Sequence, residues 1–232
     1  MQWNKFTSKT VLIFLFGLSL VACGDESNSN SNTSASYVLT FTSNWSSVTF
    51  PTNYPSNAHF SPLIGMTHNS AASLFKSGTL ATTGLEEVAE TGGTNSIKSE
   101  IGDIQNLGNS QSLIEGNGLP TGQTQVQVQF SVDTDFPLVS VITMVAPSPD
   151  WFVGVDSLNL YQNGAWVDDL TVELKVYDSG TDDGVTFTSA NVDSSPKTNV
   201  SLLTSNAADT DFLNGVHRST SVHIGTFTFK RQ

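Results

Sequence analysis

The chain has 232 residues, with 9 basic against 21 acidic side chains, a formal charge of −12 and an isoelectric point near 4.4. Such a polyanion is repelled by phosphate backbones, whose recognition needs clustered Lys and Arg, so nucleic acid is excluded as a partner. A single cysteine excludes an internal disulfide.

Lys5 and Lys9 precede an apolar run from Val11 to Leu20, which ends in Leu20-Val21-Ala22-Cys23. A basic start, a short apolar stretch and a small residue at the cleavage point predict a secretory signal over residues 1–22. The run is shorter than the roughly 20 residues a membrane-spanning helix needs. Leu-Val-Ala-Cys resembles the lipobox of bacterial lipoproteins, which implies that Cys23 becomes the N-terminus and carries a lipid anchor. By the same resemblance, Gly24 lacks the usual inner-membrane retention signal and implies an outer-membrane or cell-surface destination. Residues 23–36, with GDESNSNSNTSAS after the cysteine, are polar and predict a flexible tether. Residues 37–232 suffice for one all-β domain without a second core. Without the leader, seven basic residues face 21 acidic ones, a charge of −14. That charge discourages docking on anionic lipid, so membrane residence is assigned to the lipid on Cys23.

Strands are marked by strict alternation of apolar and polar residues, since successive side chains point to opposite faces. Tyr37–Thr42 is the first. Between Ala71 and Ile104 the pattern changes: Thr83-Gly84-Leu85-Glu86 fits a capping box before a short helix, and SIKSEIGDI predicts another short helical turn. Glycines 78, 84, 92 and 93 keep these pieces short, in a long excursion that covers an end or edge of a sheet. Val126, Val128, Phe130 and Val132 alternate with polar residues. Leu138–Val145 is apolar on both faces and therefore central, and Val155–Tyr161 follows as its neighbour. Asn163-Gly164 is a hairpin turn. Leu170–Tyr177 and Ser221–Phe229 complete the set, giving an antiparallel β-sandwich.

Strand counting brings two acidic turns together. If Leu138–Val145 runs upward, the turn holding Asp150 lies at the top. Val155–Tyr161 then descends and Leu170–Tyr177 climbs back, so Asp178 and Asp182 share that end, provided each link is a simple reversal. Clustered carboxylates repel one another unless a cation or proton neutralises them. Calcium, which takes six to eight oxygen ligands in flexible geometry, suits three aspartates in irregular loops better than magnesium does. Gly180 and Gly184 permit a tight backbone path, while Pro147 and Pro149 stiffen the opposite loop. Asp and Gly also populate ordinary surface turns, and spacing alone leaves that alternative open.

The runs PSPDWFVGVDSLNLY, YDSGTDDGVTFTSANVDSSPKTNV, AHFSPLIGMTHN and SGTLATTGLEEVAETGG resemble the spondin N-terminal domain family. That family occurs in the extracellular-matrix proteins F-spondin and mindin and in bacterial secreted proteins. The resemblance covers nearly all of the chain from Tyr37 onward. It implies a C2-like β-sandwich holding calcium through Asp150, Asp178 and Asp182, while the neighbouring Asp156, Asp183 and Asp193 fall outside the ligand pattern. Thrombospondin-type repeats and cysteine-rich modules are missing from this chain, so the guidance functions of the animal proteins are not expected of it.

Other chemistry is weaker in the sequence. His59, His68, His217 and His223 lack the spacing of a familiar zinc motif, and His59 and His68 suit structural or partner contacts. No Gly-x-Ser-x-Gly elbow is present. Glu86 and Glu87 fit the start of a helix better than a glycosidase cleft. Trp45, Trp151 and Trp166 are expected as core filling. The sequence therefore points to a non-enzymatic, lipid-anchored envelope protein that binds calcium and acts as an adhesion or ligand-binding module for an extracellular protein or glycan. An envelope enzyme acting on polysaccharide, with calcium in a structural role, is the alternative.

Overall fold

The computed structural model describes residues 1–2, 33–50, 54–203 and 223–232. The chain divides into Met1–Ser31 and Asn32–Gln232, and every element below belongs to the second unit. Cys23 and His217 lie outside the described residues.

One sheet is built around β1 (Ser34–Ser43), which lies between β5 (Gln125–Asp133) and β13 (Gly225–Arg231), with β10 (Asp169–Glu173) beyond β13. All its ladders are antiparallel. β1 begins inside the expected tether, because Ser34, Ala35 and Ser36 pair with Asp133, Val132 and Ser131. Backbone pairing has drafted residues that side-chain composition alone assigned to a linker.

The second sheet has β6 (Leu138–Ala146) and β7 (Trp151–Asn159) at its centre. β3 (Ile64–His68) and β4 (Ser110–Glu115) extend it on one side, β11 (Val176–Asp178) and β12 (Ser201–Leu202) on the other. The short β2 (His59–Phe60) pairs with the end of β6. A separate hairpin, β8 (Tyr161–Gln162) and β9 (Ala165–Trp166), turns at Asn163-Gly164, both with positive φ, as a two-residue primed turn requires. The two sheets pack as a sandwich: Leu39, Phe41, Phe227 and Phe229 of the first are buried with Val139, Val141, Val153 and Val155 of the second.

Leu170–Tyr177 is not one strand. Its first half pairs with β13 and its last residues pair with β7, so the chain changes sheets across Leu174-Lys175. Alternation survives the crossing, and for that reason periodicity cannot reveal it.

The Ala71–Ile104 excursion also departs from expectation. It contains two full helices, α1 (Thr83–Thr91) and α2 (Asn95–Asn106), which cover a face of the second sheet and not its edge. Leu85, Val88, Ala89, Ile97 and Ile101 form a second buried cluster with Ile64, Met66, Ile142 and Phe152. The single-core expectation is thereby corrected, and β6 is apolar on both faces because both are covered. The N-cap of α1 is Thr82, one residue before the predicted capping box, and its hydroxyl accepts from Leu85 N. No glutamate occupies the third helical position; Glu100 of α2 accepts from Thr82 Oγ1 and Gly84 N at 2.7 Å each. Glu87 returns the favour, taking Ser96 N at the start of α2 at 2.6 Å. Reciprocal capping by the other helix's carboxylate locks the pair and satisfies N–H groups that helix starts leave open.

Candidate functional site

The turn from Pro147 to Asp150 joins β6 to β7, and residues 179–184 follow β11, whose last residue is Asp178. Cross-strand register sets Asp178 opposite Trp151, so the two turns meet at one end of the second sheet. The route differs from a simple reversal, since the chain passes through the β8–β9 hairpin and the first sheet before it returns antiparallel to β7. The juxtaposition survives because β11 rejoins the strand that carries the first turn.

Asp150 is fully buried. Its Oδ2 accepts from Thr181 N at 2.8 Å, Ser179 Oγ at 3.0 Å and Asp182 N at 3.2 Å, and its carbonyl accepts from Ser179 N. Its Oδ1 is buried with no hydrogen-bond partner. Burial pushes the Asp150 pKa up; the backbone N–H groups of Thr181 and Asp182 and the Ser179 hydroxyl work against that, and the Asp182 charge adds to it.

The other two aspartates are built differently. Asp178 Oδ1 accepts from Gly180 N at 2.7 Å. Asp182 is nearly buried; its Oδ1 accepts from Gly184 N at 2.6 Å and its Oδ2 from Val192 N at 2.8 Å. Both therefore close Asx turns of their own loop. Glycine is needed at 180 and 184 for separate reasons. Gly180 has a φ of +75° and a Cβ there would sit 2.3 Å from the Thr198 carbonyl oxygen, while one at Gly184 would meet Pro149 and Asp182.

A fourth carboxylate reaches this end from α1. Glu90 has its pKa raised, first by burial, with Thr181 lowering it and the charges of Glu86, Asp150 and Asp182 raising it. Its Oε1 is buried without a partner. The sequence carries one faint signal for it: an acidic residue in the last turn of a helix sits against the negative end of the dipole. Ser179 and Thr181 had no signal beyond lying between two aspartates.

Among the described residues, no three His, Cys, Asp or Glu side chains converge closely enough to form a ready metal cage. A hard cation nevertheless suits this donor set. Asp150 offers a buried oxygen with no donor, beside a second carboxylate whose charge it feels, and a cation relieves both penalties.

The remaining candidates have structural employment. His68 is fully buried, its Nδ1 on the Asn69 carbonyl at 2.8 Å and its Nε2 on Ser140 Oγ at 2.7 Å, while Ser140 Oγ donates to Asp156 Oδ1 at 2.9 Å. Serine, histidine and aspartate thus meet, but Ser140 has no exposed surface, and the trio works as an internal strut. His59 Nδ1 contacts the Asn57 carbonyl, and His223 lies 2.6 Å from Glu173. Glu86 pairs with Lys197. Trp45 and Trp151 are buried in the core, as expected, and the half-buried Trp166 packs against it. No described helix is long and apolar enough to cross a membrane.

Known proteins with similar sequences agree on one family. Human Spondin-2 is 33% identical over 201 residues, 85% of this chain and 61% of that protein. Spondin-1 of Rattus norvegicus is 35% identical over 196 residues, 81% of this chain but 23% of that protein. The chain thus spans about three fifths of one relative and under a quarter of the other. The Spondin_N family profile matches residues 35–219, from the second residue of β1 into the segment before β13. That match takes in every strand of the sandwich except β13 and the first residue of β1, and it places the chain in the Spondin_N family as a spondin-type module.

Proposed function

We propose that this protein is a lipid-anchored, cell-envelope spondin module that binds calcium and serves in adhesion or in capture of an extracellular protein or glycan. The observation that supports the cation is the Asp150 carboxylate, fully buried with Oδ1 unpartnered and pressed by the charge of Asp182. Asp150, Asp178 and Asp182 are the residues that would hold calcium, with backbone carbonyls and water completing the six to eight oxygens it takes. When bound, the ion supplies charge neutralisation and a cross-link between the turns. Ser179 and Thr181 hold the Asp150 carboxylate in place, Gly180 that of Asp178, and Gly184 that of Asp182. The membrane anchor is assigned to a lipid on Cys23, with an outer-membrane or cell-surface address.

Calorimetric titration of the full chain in detergent with calcium tests the cation. Saturable binding that disappears in D150N/D178N/D182N is expected. Absence of heat at millimolar calcium, or equal binding by the triple variant, would remove the site. Incorporation of radiolabelled fatty acid, lost on Cys23→Ser, tests the anchor.

A further inference from the structure

At the other end of β11, the crossing between sheets leaves a cleft of about 390 Å³. Val172 of the first sheet and Val155 and Leu158 of β7 form part of its wall, with Phe75, Lys76 and Ser77 from the loop before α1 and Lys175 and Tyr177 from the crossing strand. The volume lies at the small end of the range for ligand pockets, enough for one or two rings.

The cationic groups here are unusual for so acidic a chain. Among the described basic residues, Lys98, Lys197 and Arg231 are engaged with Glu115, Glu86 and Asp168. Lys76, Lys175 and Lys230 have no ion-pair partner among the described residues, and the first two line this cleft. The two carboxylates in the same lining are already committed. Asp156 takes Leu74 N, Phe75 N and Ser140 Oγ on one oxygen and Ser73 Oγ and Ser157 Oγ on the other. Glu173 lies 2.6 Å from His223 Nε2. The Tyr177 hydroxyl, in turn, makes no hydrogen bond to a described residue.

We infer that this cleft binds a sugar ring bearing one anionic substituent, a carboxylate or a sulfate. The anion lies between the Lys76 and Lys175 ammonium groups, and the ring's C–H face rests on Val155, Leu158 and Val172. Lysine suits this role as a compact charge with rotatable donors. A fatty acid fits poorly, because a long chain needs an apolar tunnel, and this cleft mixes short apolar walls with lysines, Ser77 and carboxylates. None of its lining residues belongs to the aspartate site, so the assignment stands or falls apart from the calcium reading.

The test is a backbone-amide NMR titration of the full chain in detergent micelles, run with chelator and again with calcium. D-Glucuronate and glucose 6-sulfate are the probes, and methyl glucoside is the uncharged control. Saturable shifts at residues 75–77, 154–158 and 172–177 are expected with at least one anion in both conditions, and which anion binds tells carboxylate from sulfate. Each of K76Q and K175Q should weaken binding about tenfold, as loss of one charge-assisted hydrogen bond does. K230Q should bind as the parent does, and an unchanged melting curve shows that each variant folds. Shifts confined to other residues, no saturation with either anion, equal binding of methyl glucoside, or full affinity in K76Q/K175Q would overturn the assignment.

Discussion

Asp150 and Asp156 stand six residues apart, the first just ahead of β7 and the second at the irregularity within its ladder with β6, and they are opposites in bonding. Asp156 is half-buried and has both oxygens filled, by two backbone N–H groups and three serine hydroxyls. Asp150 is fully buried and has one oxygen crowded with donors and the other bare. A carboxylate that a fold uses as a brace is saturated by the fold's own donors. One left half-bonded at greater depth is costly on its own, and that cost disappears when something from outside supplies positive charge.

The sharpest way to break this comparison is to remove the brace. D156A strands Leu74 N, Phe75 N and the Ser140 hydroxyl that joins His68, so it should lose about 3–4 kcal/mol of stability in urea unfolding, with or without calcium. D156N keeps the shape and some acceptors and should lose less. A loss seen only in calcium would make Asp156, and not Asp150, the residue linked to the ion.

Calcium comes next in size. At calcium one hundredfold above its dissociation constant, mass action adds about 2.7 kcal/mol. For a domain of this length that is a rise of roughly 5–10 °C in melting temperature. D150N should abolish most of that rise while leaving the chelated protein within about 1 kcal/mol of the parent, because an amide oxygen still accepts from Ser179, Thr181 and Asp182 and the repulsion with Asp182 is gone. The contrast with D156A is the point: one substitution damages the apo fold, the other damages only its response to the ion.

The same contrast has a pH signature. Asp150 has its folded-state pKa raised above the unfolded value, so the fold favours its protonated form. Its contribution to stability is full below the ordinary aspartate value of about 3.9 and is lost as pH rises through the raised value. In chelator, the parent should therefore lose stability relative to D150N as pH increases above about 4, and excess calcium should close the gap. Urea midpoints for the two proteins across pH 3–7 measure it; parallel curves would show that the Asp150 proton is not linked to folding.

Much of this was readable from the chain, and the exceptions have physical causes. Alternation located β1, β5 and β13, and two-sided apolarity marked β6 as central, because burial of side chains sets both patterns. The Asn163-Gly164 turn was readable because its backbone needs residues that tolerate positive φ. Hidden from the sequence were partners distant along the chain. The sequence places the capping box at Thr83, one residue late, because the carboxylate that completes the Thr82 cap is Glu100, eighteen residues on in another helix. The sheet change at Leu174-Lys175 is invisible because both sheets bury alternate residues. At the site, counting strands as simple reversals brings the two aspartate turns to one end, but the chain reaches that end by another route, and they meet because β11 rejoins β7. That Asp178 and Asp182 close their own turns while Asp150 does not depends on loop geometry that no spacing encodes.

Glu90 offers the smallest and most discriminating test. It sits in the last turn of α1, against the helix dipole, with burial and the charges of Glu86, Asp150 and Asp182 all raising its pKa, and with Oε1 unpartnered. Each of those terms penalises its ionised form in the absence of a cation. E90Q should accordingly raise the melting temperature of the chelated protein at pH 7 by about 1–2 °C. If Glu90 merely borders the aspartates, calcium affinity should hold steady or fall slightly in E90Q, since one nearby negative charge has gone. If its carboxylate enters the ion's coordination, the calcium-induced shift should fall by more than the chelated protein gains. Melting curves of parent and E90Q, each with chelator and with calcium, separate the two, because only a ligand makes the ion's effect depend on this side chain more strongly than the apo fold does.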